Sequence, residues 1–315
     1  MAETVVTVEN LKKYYPPNVK AVDDISFDIS GGKIFSMLGP NGAGKTTTVE
    51  ILEGLRNPTA GKATVLGTDI FKDYSKIRKR VGTLPQNFEP FDLLKPTEAI
   101  GYWANLYDIR MTKKEIDGLI EAVNLTDRKS LMAKKLSGGE KRKLGIALSL
   151  VNSPELLFLD EPTTGLDPKA RRDLWNLIDI IREKGTTIFL TTHYLDEAEK
   201  LSDDVAIMHK GKIIARGTPN ELVEKYGKAT IIVLEGAGRA SLQRLKEMGF
   251  NASLDEAYEG DVLVAVKKHS EMKATMAKLA GSDIKMDDIY TRRETLEDVF
   301  LSLIGSKMED GVLKE

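Results

Sequence analysis

The sequence contains no cysteine and no long uninterrupted run of apolar residues. Without thiols the protein forms no disulfides, holds no Cys-ligated zinc or iron–sulfur cluster, and cannot use thiol catalysis. Apolar stretches such as 231–234 and 262–266 end at charged residues well before the ~18 residues that suggest a membrane-spanning helix. If the protein works at a membrane, we therefore expect another chain to span it.

An excess of one charge is also missing, because 46 lysines and arginines stand against 48 aspartates and glutamates. Nucleic-acid-binding domains usually carry a basic excess, so this balance argues against a nucleic-acid partner. The N-terminus lacks the cationic and apolar segments of a secretory signal, which together with the absent cysteines predicts a cytoplasmic protein. The length of 315 residues predicts two domains at roughly 150 residues each.

A glycine-rich segment matches the Walker A phosphate loop in full and consists of Gly39-Pro40-Asn41-Gly42-Ala43-Gly44-Lys45-Thr46. It lies between a predicted buried strand and a predicted helix, where backbone N–H groups can converge on phosphate oxygens. Lys45 is expected to reach the β- and γ-phosphates of ATP, and Thr46 to offer its hydroxyl to Mg²⁺. Thr47 is placed to contact phosphate from the next helical position.

Two acidic residues follow the apolar strand Leu156 to Leu159. Asp160 is expected to coordinate Mg²⁺, directly or through water, because ligands collect at the carboxyl ends of strands in such sheets. Glu161 can orient the water that attacks the γ-phosphate. An apolar strand that ends in Asp-Glu is common by itself, and it indicates a metal site only beside the complete phosphate loop.

A third segment, Leu136-Ser137-Gly138-Gly139-Glu140, points to a family, because from about Val5 to Gly217 the chain resembles the ATP-binding cassette (ABC) ATPases. The resemblance rests on an ordered set of motifs: Walker A, Gln86, the Ser-Gly-Gly signature, Walker B (the apolar strand with Asp160 and Glu161), Gly165-Leu166-Asp167 and His193. It implies an α/β P-loop NTPase cassette with a mixed-sheet core, an antiparallel β subdomain and a helical signature subdomain at about 96–153. One cassette in the chain implies a dimer with two shared sites.

The resemblance assigns the signature and the loop after Walker B to contacts with a second subunit. Ser137, Gly138 and Gly139 then close over the γ-phosphate of the ATP held by that subunit, and Asp167 lies in the loop that couples the two sites. The commonest signature has Gln where this chain has Glu140. Because Ser137 and Glu140 also form the Ser-x-x-Glu pattern of a capping box, we favour a structural role for Glu140.

Three further residues take roles from the resemblance. Gln86 matches the glutamine that links Mg²⁺ and the attacking water to the transmembrane partner. His193 matches the switch histidine that senses the γ-phosphate, and Tyr15 matches the aromatic residue that stacks on adenine, although the neighbouring Tyr14 leaves the register open. The predicted catalytic set is Glu161, His193, Gln86 and Lys45.

The pattern of the chain changes after about residue 225 and predicts a separate domain over 226–305, with a flexible tail at 306–315. Six alternating elements fit the β-α-β-β-α-β order of a small ferredoxin-like α+β domain. Its last strand is predicted over Ile284 to Tyr290, and an amphipathic helix over Thr295 to Leu303 follows. We expect the apolar face of that helix to pack on its own domain, with a partner surface as the alternative.

Together these features favour the nucleotide-binding subunit of an ABC exporter, which hydrolyses Mg-ATP as a homodimer or with a related second cassette. The subunit would drive a separate transmembrane permease from the cytoplasmic face of the membrane. The segment from Thr295 to Phe300 resembles an ending found in the drug-, lipid- and sodium-exporter branch. The alternative is a soluble ABC-type ATPase that acts on a nucleic-acid, ribosomal or assembly complex. Such proteins usually carry two cassettes or a long coiled coil between the Walker motifs, and this chain has neither.

Overall fold

The computed structural model describes residues 3–227, 230–255, 258, 260–266, 271–305, 308–309 and 312–313. The chain divides into two units, Met1–Arg216 and Gly217–Glu315. The strands up to this division are β1 (Thr4–Tyr15), β2 (Val19–Ser30), β3 (Ile34–Leu38), β4 (Ala60–Val65), β5 (Thr68–Asp69), β6 (Val81–Leu84), β7 (Leu156–Asp160), β8 (Thr187–Thr192), β9 (Asp204–His209) and β10 (Lys212–Gly217). The helices are α1 (Lys45–Leu52), α2 (Ile70–Asp73), α3 (Pro96–Leu106), α4 (Lys113–Ala122), α5 (Gly138–Ser149), α6 (Pro168–Glu183) and α7 (Leu195–Leu201).

A six-stranded sheet in the order β10-β9-β3-β8-β7-β6 forms the centre of the first unit. Strand β3 runs parallel to β8 and β9, and β7 runs parallel to β6 and β8. A second sheet, in the order β2-β1-β4-β5, is antiparallel. The α/β cassette fold with an antiparallel β subdomain, which the family resemblance implies, is confirmed.

Two hydrophobic clusters lie on opposite faces of the central sheet, because successive side chains of a strand point in opposite directions. In β7, Leu157 and Leu159 join the cluster that includes α3 to α7, whereas Leu156 and Phe158 join the cluster that includes α1 and the antiparallel sheet. Strands that are buried on both faces appear in the sequence as continuous apolar runs. This arrangement places the carboxyl ends of β3, β7 and β8 at one edge of the sheet.

The predicted helical segment at 96–153 contains α3, α4 and α5, with short 3₁₀ turns at Thr126–Arg128 and Ala133–Lys135. Capping boxes define the starts of these helices. Thr112 and Glu115 bond reciprocally at the start of α4, and Ser137 and Glu140 do so at the start of α5. No helix in the described part of the chain is both long enough and apolar enough to cross a membrane.

The second unit contains the helices α8 (Pro219–Tyr226), α9 (Gly238–Glu247), α10 (Met272–Ala280) and α11 (Leu296–Ile304). Its strands are β11 (Thr230–Glu235), β12 (Ala252–Leu254), β13 (Val262–Val266), β14 (Asp288–Arg293), β15 (Met308–Glu309) and β16 (Val312–Leu313). Strands β11 to β14 form an antiparallel sheet in the order β12-β13-β11-β14. The first strand therefore lies beside the third and the fourth, which is the arrangement expected of a β-α-β-β-α-β unit.

Two boundaries in this region differ from the sequence-based predictions. The structure divides after Arg216 rather than after 225, because α8 packs against α11 within the second unit. The last strand of the sheet begins at Asp288 rather than at Ile284. Ile284 lies before the strand, and its side chain belongs to the apolar core of the second unit. Much of the tail predicted at 306–315 lies outside the described residues, although β15 and β16 pair antiparallel within it.

Candidate active site

The phosphate loop connects the buried strand β3 to the start of α1. Its glycines are required by close backbone contacts. A Cβ atom on Gly39 would lie 2.2 Å from the carbonyl oxygen of Met208, and one on Gly44 would lie 2.1 Å from that of Ala21. Gly44 also has a φ of 108°, a left-handed conformation that glycine adopts without strain. The loop therefore brings its backbone N–H groups to a helix N-terminus, where anions bind well.

Lys45 is almost fully buried, with 4% of its surface exposed. Its Nζ donates hydrogen bonds to the carbonyl oxygens of Gly39 at 2.8 Å and Pro40 at 3.1 Å. The same atom lies 3.2 Å from Oε1 of Glu161. Burial lowers the pKa of Lys45, while Glu161 and Asp160 act in the opposite direction. The loop itself therefore holds a cation beside the carboxylates, and Asn41 and Gly42 form its exposed tip.

Asp160 ends β7 and accepts hydrogen bonds from two threonine hydroxyls. Thr46 Oγ1 lies 3.3 Å from Asp160 Oδ1, and Thr191 Oγ1 donates to the same oxygen. Burial raises the pKa of Asp160, and these hydrogen bonds oppose that change. The hydroxyl oxygen of Thr46 and the carboxylate of Asp160 suit Mg²⁺, which prefers oxygen ligands. Mg²⁺ usually binds few protein side chains, and water molecules and phosphate oxygens supply its other ligands. In the described ranges, no group of three or more His, Cys, Asp or Glu side chains could hold a metal ion.

Glu161 occupies a left-handed backbone conformation with a φ of 46° directly after the strand. Its backbone N–H lies 3.1 Å from the carbonyl oxygen of Thr191 and 3.0 Å from the hydroxyl of that residue. Its Oε2 accepts hydrogen bonds from Gln86 Nε2 at 3.0 Å and from Thr164 Oγ1 at 3.1 Å. His193 Nδ1 lies 3.1 Å from Oε2, without the alignment of a hydrogen bond. The predicted catalytic set, Glu161, His193, Gln86 and Lys45, is therefore brought together around one carboxylate.

The charge of Glu161 is fixed by these neighbours. Burial raises the pKa of Glu161, but the combined effect of His193 and Lys45 is larger and lowers it to about 2. The carboxylate is therefore ionised at neutral pH and can accept a proton or a hydrogen bond from water. Because the pKa of Glu161 is lower in the folded than in the unfolded protein, its ionised carboxylate stabilises the folded state. This stabilisation is complete above the usual carboxyl pKa and is lost as the pH falls through about 2.

Arg142, in the second turn of α5, was not singled out by the sequence. Its five N–H groups donate to five backbone carbonyls at 2.8 to 3.0 Å: Pro85, Gln86, Asp160, Glu161 and Pro162. Burial lowers the pKa of Arg142 to about 10, which leaves the guanidinium charged at neutral pH. One side chain thus holds the segment of Gln86 and the end of Walker B together. A pattern of side chains cannot reveal such contacts, because all the acceptors are backbone atoms.

The signature residues lie at the start of α5, where Ser137 is the exposed N-cap. Ser137 Oγ accepts from Glu140 N at 3.3 Å, and Glu140 Oε2 accepts from Ser137 N at 2.8 Å, which confirms the predicted capping box. Gly138 and Gly139 form the first turn of α5, and Thr47 lies in the first turn of α1. Among the described residues, no hydrogen bond or ion pair joins this signature to Lys45, Asp160 or Glu161.

Asp167 caps α6, where its Oδ1 accepts from the backbone N–H groups of Lys169 at 3.0 Å and Ala170 at 2.9 Å. Asp167 thus fixes the start of α6, and its carboxylate suits the positive end of the helix.

Tyr15 ends β1 beside a surface cavity of about 430 Å³. The ring of Tyr15 lies 5.0 Å from Lys13 Nζ and 5.9 Å from the guanidinium carbon of Arg56. The hydroxyl of Tyr14 donates to Asp23 at 2.7 Å and is thereby held by its own sheet. Tyr15 is therefore the better placed of the two rings to stack on a base.

Comparison with known proteins agrees with this geometry. Residues 22–164 match the family model described as ABC transporter. Over 313 residues the chain is 36% identical to the daunorubicin resistance ATP-binding protein DrrA3 of Streptomyces coeruleorubidus, and the alignment covers 97% of each chain. The chain belongs to the family of ABC transporter ATP-binding proteins. It is also 36% identical over 313 residues to the Nod factor export ATP-binding protein I of Ralstonia nicotianae, covering 97% of this chain and 95% of that protein.

Solved structures of ABC cassettes have the same fold. One, described as an ATP-binding subunit of an ABC transporter, is 28% identical, has a TM-score of 0.62 and covers 71% of this chain and 93% of its own. A dimeric cassette bound to ADP and Pi is 24% identical, with a TM-score of 0.61 over 68% of this chain and 98% of its own. This ABC protein binds and hydrolyses ATP, as the sequence predicted.

Proposed function

We propose that this ABC ATPase works as a dimer to drive export through a separate transmembrane permease, from the cytoplasmic face of the membrane. The observation that carries the hydrolytic step is the ionised Glu161 carboxylate, which lies 3.2 Å from Lys45 Nζ and 3.0 Å from Gln86 Nε2. Names of relatives that refer to daunorubicin resistance and Nod factor export support the direction of transport.

The chain's own residues divide the work at the phosphates. The backbone N–H groups of the phosphate loop and Lys45 would bind the phosphate oxygens of ATP, and Tyr15 would stack on the adenine. Thr46, Asp160 and Gln86 would hold Mg²⁺, which supplies positive charge to the phosphate oxygens when it is bound.

Glu161 would hold the attacking water, because its carboxylate is ionised and fixed on several sides. Gln86 would orient the carboxylate and the water, and His193 would contact the transferring phosphate. These roles suit a reaction whose catalysis consists mainly of positioning and charge stabilisation.

The exposed start of α5 supports a site shared between two subunits. Ser137 and Gly138 are exposed, and their helix N-terminus is directed to solvent rather than bonded to the phosphate loop of the same chain. A helix N-terminus favours anions. We infer that Ser137, Gly138 and Gly139 close over the γ-phosphate of the second subunit, and that Asp167 couples the two sites.

Mixing two inactive variants tests the shared site. Lys45→Ala removes the loop cation, and Ser137→Arg blocks the surface that would cover the partner's nucleotide. We expect neither homodimer to hydrolyse ATP. A heterodimer contains one site with both changes and one with neither, so mixing should restore hydrolysis. No recovery in a sample that contains heterodimers, identified by differently tagged chains, would contradict the shared site.

A patch of exposed apolar side chains after Gln86 supports a docking site for the permease. Phe91 is 52% exposed and Leu93 is 69% exposed, and the ring of Phe91 meets that of Tyr102 edge-on at 5.5 Å between centroids. Exposed apolar patches mark interaction sites. Gln86 lies in the same segment, so a chain bound here would be close to the catalytic carboxylate.

Copurification tests this docking site. We expect Leu93→Asp to reduce the amount of membrane protein that copurifies with the tagged chain, because a charge would be buried in the contact. Leu55→Asp is the matched control, since Leu55 is 71% exposed outside the patch. Equal copurification of both variants with the membrane chain would exclude the patch as the docking site.

A further inference from the structure

Helix α6 and the segment after His193 are joined at the surface by one arginine. The guanidinium carbon of Arg171 lies 4.3 Å from the ring centre of Tyr194, and Arg171 Nη1 lies 3.2 Å from Asp196 Oδ2. The side chain of Asp196 is 58% exposed, so this ion pair by itself contributes little. The ion pair instead determines which face of α6 contacts the turn after β8.

A partly buried hydrogen bond lies one helical turn further along α6. Trp175 Nε1 donates to Glu197 Oε1 at 2.9 Å, and Glu197 in α7 has none of its surface exposed. Burial raises the pKa of Glu197. A carboxyl group inside a protein is unfavourable unless it is bonded, so the loss of the indole donor would leave a polar atom unpaired. This bond therefore holds α7 against α6 more strictly than apolar packing would.

The same turn carries His193. The ring of His193 packs on that of Tyr194 with 4.2 Å between their centres, and its Nδ1 lies 3.1 Å from Glu161 Oε2. His193 is followed directly by the residues that Arg171 and Trp175 contact. The position of its ring therefore depends on the position of α7 relative to α6.

The other end of this connection is Asp167, the residue that caps α6. A helix behaves as a rigid element, so a displacement of its first turn moves the turns that carry Arg171 and Trp175. Asp167 and His193 are thus connected through α6 by the partly buried hydrogen bond of Trp175 and by the two surface contacts of Arg171.

We propose that Trp175 and Glu197 are a positioning pair for His193, which connects the ring of His193 to the helix that Asp167 caps. Neither residue is among those proposed to bind nucleotide or metal, and the pair acts on hydrolysis through His193. The inference rests on the proposed role of His193 in hydrolysis. It goes further by identifying the residues that transmit a movement of the loop at Asp167 to the catalytic carboxylate.

The test uses the full chain and the variant Trp175→Phe, which keeps an aromatic ring and removes the N–H donor. We expect the kcat for ATP hydrolysis to fall about tenfold, the size expected for one lost hydrogen bond to a buried polar group. The Kd for ATP should stay within about twofold, because the phosphate loop is untouched. Trp103→Phe, at the other tryptophan of the chain, is the matched control and should leave both values unchanged.

Two further variants separate positioning from general damage. Glu197→Gln keeps the acceptor oxygen for Trp175 and should retain most of the activity. In a His193→Ala background, Trp175→Phe should cause no further loss of the residual kcat, because a pair that acts through one residue has no effect once that residue is gone. The same fold loss in both backgrounds, or a Trp175→Phe chain as active as Trp103→Phe, would overturn the inference. A fully active His193→Ala chain would instead overturn the proposed role of His193, and this inference with it.

Discussion

The two units of the chain differ in what they bury. Among the described residues, every buried polar or charged side chain except that of Asp261 belongs to the first unit, and Lys45, Asp160, Glu161 and His193 are among them. In the second unit, the apolar core under β11 and β13 consists of aliphatic side chains and methionine. Asp261 has a local task there, since its Oδ1 accepts from Gly236 N at 3.0 Å.

The buried polar groups of the first unit therefore serve its chemistry, whereas the apolar core of the second unit serves its stability. Burial of an ionisable group is unfavourable, so such groups persist where a function requires them. In the cassette, Lys45, Asp160, Glu161 and His193 lie together at the carboxyl ends of β3, β7 and β8. The second unit needs no such groups, because none of the proposed phosphate or metal contacts lies in it. Substitutions should therefore affect activity in one unit and stability alone in the other.

The largest expected effect is that of Glu161→Gln. The amide keeps the shape of the side chain but cannot accept a proton, so hydrolysis should fall by ~10²–10⁴ while ATP binding is retained. Size-exclusion chromatography with ATP should then show a trapped dimer. Glu183→Gln, at the exposed end of α6, is the matched control and should hydrolyse ATP at the wild-type rate. A monomeric Glu161→Gln chain with unimpaired hydrolysis would remove Glu161 from the mechanism.

A smaller effect on both activity and stability is expected for Arg142→Lys. Lysine has three donors and no planar fork, so at least two of the five carbonyls held by Arg142 would lose their partner. We expect the free energy of unfolding to drop by about 2–6 kcal/mol, at roughly 1–3 kcal/mol for each of two unpaired buried groups.

Denaturant unfolding of the Arg142→Lys chain and of a Lys141→Ala control measures this effect. Lys141 precedes Arg142 on the same helix and pairs with Glu89 at 2.9 Å near the surface. Its loss should cost less than about 1 kcal/mol, as for other exposed ion pairs. If both variants unfold at the same denaturant concentration, the backbone contacts of Arg142 contribute nothing to stability.

The smallest effect on nucleotide binding is expected from removing the second unit. A chain that ends at Arg216 should bind ATP with a Kd within about twofold of the full chain, since a compact unit with its own core can fold alone. A chain cut after Glu224 should be less soluble, because it keeps most of α8 without α11, against which α8 packs. An aggregated 1–216 fragment that does not bind ATP would show that the cassette depends on the second unit.

Motifs that are local in sequence could be predicted, and contacts between distant segments could not. The phosphate loop, the acidic pair after β7 and the capping box at Ser137 depend on residues a few positions apart, and the described structure has each of them. The grouping of Gln86 and His193 on Glu161 was expected from family resemblance alone. Residue types by themselves do not indicate which loop reaches which carboxylate.

The residues missed by the sequence-based predictions act through distant or backbone partners. Arg142 looks like one of several basic residues on an amphipathic helix, and Glu197 like one of several acidic residues on α7. Only the fold shows that both are buried. The predicted boundary at 225 differs from the division after Arg216 for a related reason, because α8 is a polar helix that groups with the second unit.

Arg142 has a consequence for how this protein can evolve. Because it binds only main-chain oxygens, it holds the segments of Gln86 and Glu161 in place whatever side chains those positions carry. A mutation that removes a catalytic side chain therefore need not disturb the scaffold around it. Inactive copies of this cassette can arise by single substitutions and still fold, pair and occupy a place in an assembly. Selection on assembly alone would preserve the arginine and allow the chemistry to be lost.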